Sequence, residues 1–328
     1  MRHFISMSLI ILISLSTSAK ESHEVEQVKA KPSFGLYVSE ISDIDFAKNE
    51  FTTKFWWWFN HSDENFTPNT TMEIINAKSW NKTNTSTELS QNGKVWNSGS
   101  ISANLKQEWD VRNYPFDIQR LKIILEDVNT ERDNLQFTAN DNQALIDSNA
   151  LPDGWTLVET EVNVRPKTYQ TAFGKPDNGK NESVFSRIEV IISLQRDGWR
   201  VFSTVFIGYF VALIMAVFLF SINIFDKSSG AVAQPARTAI GVGSLFAAVG
   251  ATYVLAAKLP YTTVFTLADS IQITTFIGVI LSIICSILTD VSRPYGKIEH
   301  IIKVNRLIFG GFVVSALIIN AYMLISGN

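Results

Sequence analysis

Residues 201–225 read VFSTVFIGYFVALIMAVFLFSINIF, twenty-five positions without one charged side chain. About 20 apolar residues suffice for a helix to cross the hydrocarbon core of a bilayer. Three more stretches of the same kind follow, 238–257, 270–289 and 307–326. In lipid every backbone amide must be satisfied within its own segment, so these runs are expected as helices, four of them, in one transmembrane bundle.

Upstream the chain changes character. It is polar, rich in Asn and Thr, and punctuated by turn residues. Runs 34–44 and 51–59 flank the turn Ala47-Lys48-Asn49-Glu50, and Asn92-Gly93 marks a hairpin tip within a polar stretch. Runs 121–126, 155–164 and 184–194 read as further strands, with 165–181 as a second hairpin tip. Many short strands at this spacing predict a β-sandwich. The start has the form of a secretory signal: Arg2 and His3, an apolar run 4–15, then small residues ending at Ala19. The expected division is a signal peptide at 1–19, a β domain at 20–199 and a membrane domain at 200–328. Export places the β domain outside, extracellular or periplasmic, and four spans return the C-terminus to the same side of the cell membrane. The 290–306 loop carries Arg293, Lys297, Lys303 and Arg306, a basic excess that marks a cytoplasmic side.

Bulk properties narrow the function. The 328 residues are 46% hydrophobic and 18% charged with net charge −3, which offers nothing to nucleic acid. Cys285 is the single cysteine, so no intrachain disulfide forms. His3, His23, His61 and His300 are scattered, and no metal site or cofactor is expected. Six Asn-x-Ser/Thr sequons, at Asn60, Asn65, Asn69, Asn81, Asn84 and Asn181, read first as loop composition and second as glycosylation sites. No nucleophile–base set or phosphate loop stands out, so an enzyme is not expected.

Three blocks resemble the pentameric ligand-gated ion channels, the Cys-loop receptor superfamily. Tyr114-Pro115-Phe116-Asp117-Ile118-Gln119 is similar to the signature of the loop that touches the membrane domain. Pro235-Ala236-Arg237-Thr238-Ala239-Ile240-Gly241-Val242 is similar to the start of the pore-lining helix. Leu259-Pro260 to Asp269 is similar to the loop between the second and third helices, and Arg196 looks like the arginine at the domain junction. The family's cysteine pair is absent, as in its prokaryotic members. The resemblance implies an immunoglobulin-like β-sandwich followed by a four-helix pore domain. It also implies a homopentamer in a lipid bilayer that passes inorganic ions when a small-molecule ligand, or protons, bind.

Helical periodicity puts Ala239, Gly243, Phe246, Gly250, Tyr253 and Ala257 near one face of the second span. The resemblance implies that this face lines the pore, with Phe246 as an apolar constriction and Arg237 at the inner mouth. Otherwise the glycines serve helix packing and Arg237 snorkels to the interface. The resemblance implies a preference for anions over cations, since Pro-Ala-Arg is similar to the anion-selective members at this place, and the scarcity of hydroxyls on that face keeps open a membrane-anchored oligomeric binding or sensory protein that does not conduct. The resemblance implies that Tyr114, Pro115, Phe116, Asp117, Arg196, Pro260 and Tyr261 couple the two domains, with Asp117 and Arg196 as a switching or a static ion pair. For the ligand, Trp56, Trp58, Tyr169 and Phe173 form a candidate aromatic set, or part of the core, and Arg120, with Arg165 and Lys167, a candidate carboxylate binder.

Overall fold

The computed structural model describes residues 31–63, 65–174, 181–225, 234–260 and 262–326. The expected signal peptide and Tyr261 lie outside the described residues. The N-terminal part is built on strands β1 (Ser33–Asp45), β2 (Glu50–His61), β3 (Met72–Ile74), β4 (Ala77–Leu89), β5 (Val95–Lys106), β6 (Ile118–Asp127), β7 (Thr138–Ile146), β8 (Trp155–Tyr169) and β9 (Ser183–Arg196), with a single helical turn α1 (Pro68–Thr71). They form a five-stranded sheet, β4-β5-β2-β1-β7, and a four-stranded sheet, β3-β6-β9-β8. All pairings are antiparallel except β1 with β7.

The two-residue period of β2 sorts its aromatic run. Phe55, Trp57 and Phe59 are fully buried, whereas Trp56 is 39% exposed. One apolar cluster takes Phe34, Leu36, Phe55, Trp57 and Phe59 from the first sheet and Leu121, Ile123, Ile188 and Val190 from the second. Two glycines make room for the indoles. A Cβ at Gly35 would lie 2.3 Å from the Trp58 ring, and one at Gly99 3.1 Å from the Trp57 ring.

After β9 the chain turns helical within two residues. Helices α2 (Gly198–Val205), α3 (Ile207–Phe225), α4 (Gln234–Ala256), α5 (Leu267–Ser292) and α6 (Ile298–Ser326) follow, with a 3₁₀ turn at Arg293–Tyr295. α4, α5 and α6 are each long and apolar enough to cross a membrane. The first apolar run departs from the straight helix expected: it breaks at Phe206 into α2 and α3, a pair bent by 56° that reaches span length only together. Phe206 is fully buried and shares an apolar cluster with Val111 and Tyr114 of the β5–β6 loop, so the bend falls where the chain is held under the β region. The helices also outrun the charge-free stretches. α5 begins at Leu267, where Thr266 and Asp269 form a reciprocal capping box, and α6 begins at Ile298 among basic residues. α3 packs on α4, α5 and α6, α4 on α5, and α5 on α6.

Candidate functional site: the junction and the α4 face

The junction is assembled from five separate segments. Phe46 of the β1–β2 turn, Val111 and Tyr114 of the β5–β6 loop, Val205, Phe206 and Tyr209 around the α2–α3 bend, Ala251 and Leu255 of α4, and Ala268 of α5 form one buried cluster. Two close contacts tie the β5–β6 loop to the helices. Leu267 N–H at the start of α5 donates to Arg112 O at 2.9 Å. Gly198 opens α2 so near the loop that a Cβ there would sit 2.6 Å from Pro115 O and from the Phe116 ring. The Tyr114–Pro115 peptide is cis.

Asp117 and Arg196 meet at this junction. The Arg196 guanidinium donates to Asp117 Oδ2 at 3.2 Å, and both side chains are largely buried. Gln119 Nε2 donates to the same oxygen and, at 2.7 Å, to Asp110 O. The cation is caged by ring faces: its Cζ lies 4.2 Å from the Phe46 centroid, 4.7 Å from Trp155 and 4.9 Å from Tyr114. Aromatic faces carry the negative end of the ring quadrupole and hold a desolvated cation well. Burial pushes the Tyr114 phenol up from its ordinary value, against the opposing pull of Arg196. Asp117 Oδ1 and Arg196 Nε are buried with no hydrogen-bond partner among the described residues. The pair is therefore only half satisfied, and a small shift that supplies partners would be favoured over one that merely breaks it. A cavity of ≈ 620 Å³ borders the cage, lined by Asp45, Lys48, Trp155 and Arg196 on one side and Ala257 and Lys258 on the other. Pro260 is buried beside it in sequence. Phe46, Trp155, Gly198 and Gln119 escaped the sequence reading; Gln119 alone stood inside a quoted motif.

On α4 the structure separates the expected pore residues. Ala239, Gly243, Phe246, Gly250, Tyr253 and Ala257 are exposed, Phe246 by 72% and Tyr253 by 75%. The opposite face, Gly241, Ser244, Ala248, Ala251 and Leu255, is buried in the bundle. Arg237 parts company with the exposed row. It is buried and forms an ion pair with Asp290 near the end of α5. A half-turn difference in phase accounts for this: Arg237 precedes Gly241 and Ser244 at spacings of four and seven, on the inward stripe. Close by, Asn305 of α6, fully buried, donates to Thr289 Oγ1 at 2.9 Å, so the same ends of α4, α5 and α6 share polar contacts.

The residues proposed for the ligand divide between the sheets. Trp56 and Trp58 belong to β2, whereas Arg120, Tyr169 and Phe173 belong to or follow strands of the other sheet. Tyr169 and Phe173 do meet, with ring centroids 5.4 Å apart and Phe185 completing the group. Tyr169 Oη donates to Glu126 at 2.9 Å and accepts from Arg187 at 3.0 Å. Arg120 pairs with Glu161 at 2.7 Å and Arg165 with Glu189 at 2.9 Å, so both guanidiniums already face carboxylates. Among the described residues no group of His, Cys, Asp and Glu is arranged to hold a metal. No protein-family model matches the chain, and comparison with curated proteins gives no match.

Proposed function

We propose that the chain is one subunit of a homopentameric ligand-gated ion channel. In this reading the two sheets form an extracellular or periplasmic β-sandwich, α2–α3 together make the first of four membrane spans, and α4 lines the pore. The observation that carries it is the sorting of α4. Its inward stripe is spent on its own bundle, and the exposed remainder carries a row of small residues interrupted by Phe246 and Tyr253 and flanked by exposed Val242, Val249 and Val254. Five such rows around an axis enclose a channel with an apolar collar at Phe246, where an ion loses hydration and passage stops. The Asp117–Arg196 cage lies where movement of the β region reaches the ends of α4 and α5. The ring faces of Tyr169, Phe173 and Phe185 at the β8–β9 hairpin support a cationic ligand; Arg120 and Arg165 already face carboxylates, and Glu126 is itself paired with Arg187. Arg237 contributes less to ion selection than a ring of exposed arginines would, since its charge is met by Asp290; anion preference then rests on the Pro235-Ala236-Arg237 resemblance alone.

The scarcity of hydroxyls on that row, where Tyr253 alone carries one, favours the second reading, a membrane-anchored oligomeric binding or sensory protein that does not conduct. Current recording from the purified protein in bilayers separates the two. Phe246→Ser is expected to raise resting current by tenfold or more over the wild type, because a small hydroxylated collar stays wet, at roughly 1.4 kcal/mol of barrier per decade. Silence of both proteins at verified incorporation would select the non-conducting receptor.

A further inference from the structure

Where the end of β5 passes the start of β6, a groove of ≈ 440 Å³ opens between the two sheets. Side-chain amides form its floor. Gln107 Nε2 donates to Arg120 O at 3.1 Å and its Oε1 accepts from Lys122 N at 3.2 Å, while Asn76 Oδ1 accepts from Ile124 N at 3.1 Å. β3 pairs only with Leu125–Asp127, so these amides stand in for a strand along the open start of β6.

The banks carry charge. Lys106 and Glu108 line one side, and Arg120, Lys122 and Ile124 the other, every second residue of each segment. Asn76 Nδ2 donates to Lys106 O at 3.2 Å and to Lys122 O at 2.8 Å, so the two lysines leave the backbone at neighbouring points on opposite banks. Arg120 is paired with Glu161, and Asp110, which also lines the groove, with Arg112. Lys106 and Lys122 are exposed and have no carboxylate partner among the described residues, and Glu108 has no cation. Two uncompensated cations brought together repel until an anion lies between them. Glu108 stands against a second negative charge on the same occupant.

We propose that this groove binds a small organic monocarboxylate, with the carboxylate between Lys106 and Lys122 and an apolar body against Ile124. Gln119 lines the same groove and donates to Asp117, which puts the site one side chain away from the junction cage. The site rests on the β region alone, and it requires neither conduction nor a particular subunit number.

Isothermal titration of the full-length purified protein with sodium benzoate tests this, with benzamide as the uncharged isostere and inorganic phosphate as an anion without an apolar body. The wild type is expected to bind benzoate saturably, and more tightly than either comparison compound by about tenfold or more. Lys106→Gln and Lys122→Gln are each expected to weaken benzoate binding by about tenfold, the effect of losing one charge-assisted hydrogen bond. Lys94→Gln, exposed at the β4–β5 tip, is expected to leave it unchanged. Absence of saturable benzoate binding, benzamide or phosphate bound as tightly as benzoate, or Lys106→Gln and Lys122→Gln indistinguishable from Lys94→Gln would overturn the proposal.

Discussion

Replacing Arg196 by alanine is expected to cost about 3–5 kcal/mol, because it leaves the Asp117 carboxylate buried without its cation. The Asp117 side chain is 3% exposed, so water cannot take over the role of the guanidinium. Asp117→Ala is expected to cost less, since the three ring faces go on holding the cation. The cage also makes an asymmetric prediction about charge reversal. In Asp117→Arg with Arg196→Asp a carboxylate would face the rings of Phe46, Tyr114 and Trp155, whose negative faces repel it. The reversed pair is therefore expected not to recover the loss, whereas Arg196→Lys is expected to recover part of it. Thermal unfolding of the purified protein, read by tryptophan fluorescence because Trp155 belongs to the cage, measures all four variants. Recovery by the reversed pair would show that the rings contribute nothing beyond packing.

The second large effect is expected where α4 meets α5. Asp290→Ala removes the carboxylate from a guanidinium that is 3% exposed, and a cost of about 3–5 kcal/mol is expected. Arg237→Ala is expected to cost less, because Asp290 is 24% exposed and can turn towards water. Asp290 is 24% exposed, so its position tolerates a charged side chain of either sign, and Arg237→Asp with Asp290→Arg is expected to restore part of the loss, in contrast to the junction. The same thermal measurement tests it. Asp290→Ala without effect would mean that another partner holds the charge of Arg237.

The contrast between these pairs also shows what the chain reveals on reading. Asp117 and Arg196 were visible because each stands in a recognisable local motif, and the structure brings them into contact. Their cage was not visible, since Phe46 and Trp155 come from turns and strands far from either residue, and each alone reads as core. Asp290 was hidden for a related reason. Periodicity shows which residues share a face of α4 but not which way that face points, and the resemblance alone joins Arg237 to the exposed row, although its phase puts it among the buried residues. Strands with clear alternation or strong turns, β1, β2 and the β4–β5 hairpin, were legible. β7 was not: its sequence TANDNQALI is polar and has no period, and its parallel pairing with β1 is a long-range contact that no local signal encodes. Charge-free runs marked the spans but not the helix ends, because α5 starts at the Thr266–Asp269 capping box and α6 starts in a charged turn, ahead of the apolar run in each case. The bend at Phe206 had no proline to announce it; it follows from packing under the β region.

The central claim is that five copies stand with the exposed row of α4 turned to a common axis. Single-particle imaging of the purified assembly tests it most directly. The account predicts a five-fold ring in which Phe246 side chains converge on the axis and Gly241, Ser244 and Ala248 face away from it into each subunit. A monomer, or a ring in which Phe246 faces lipid, would contradict it.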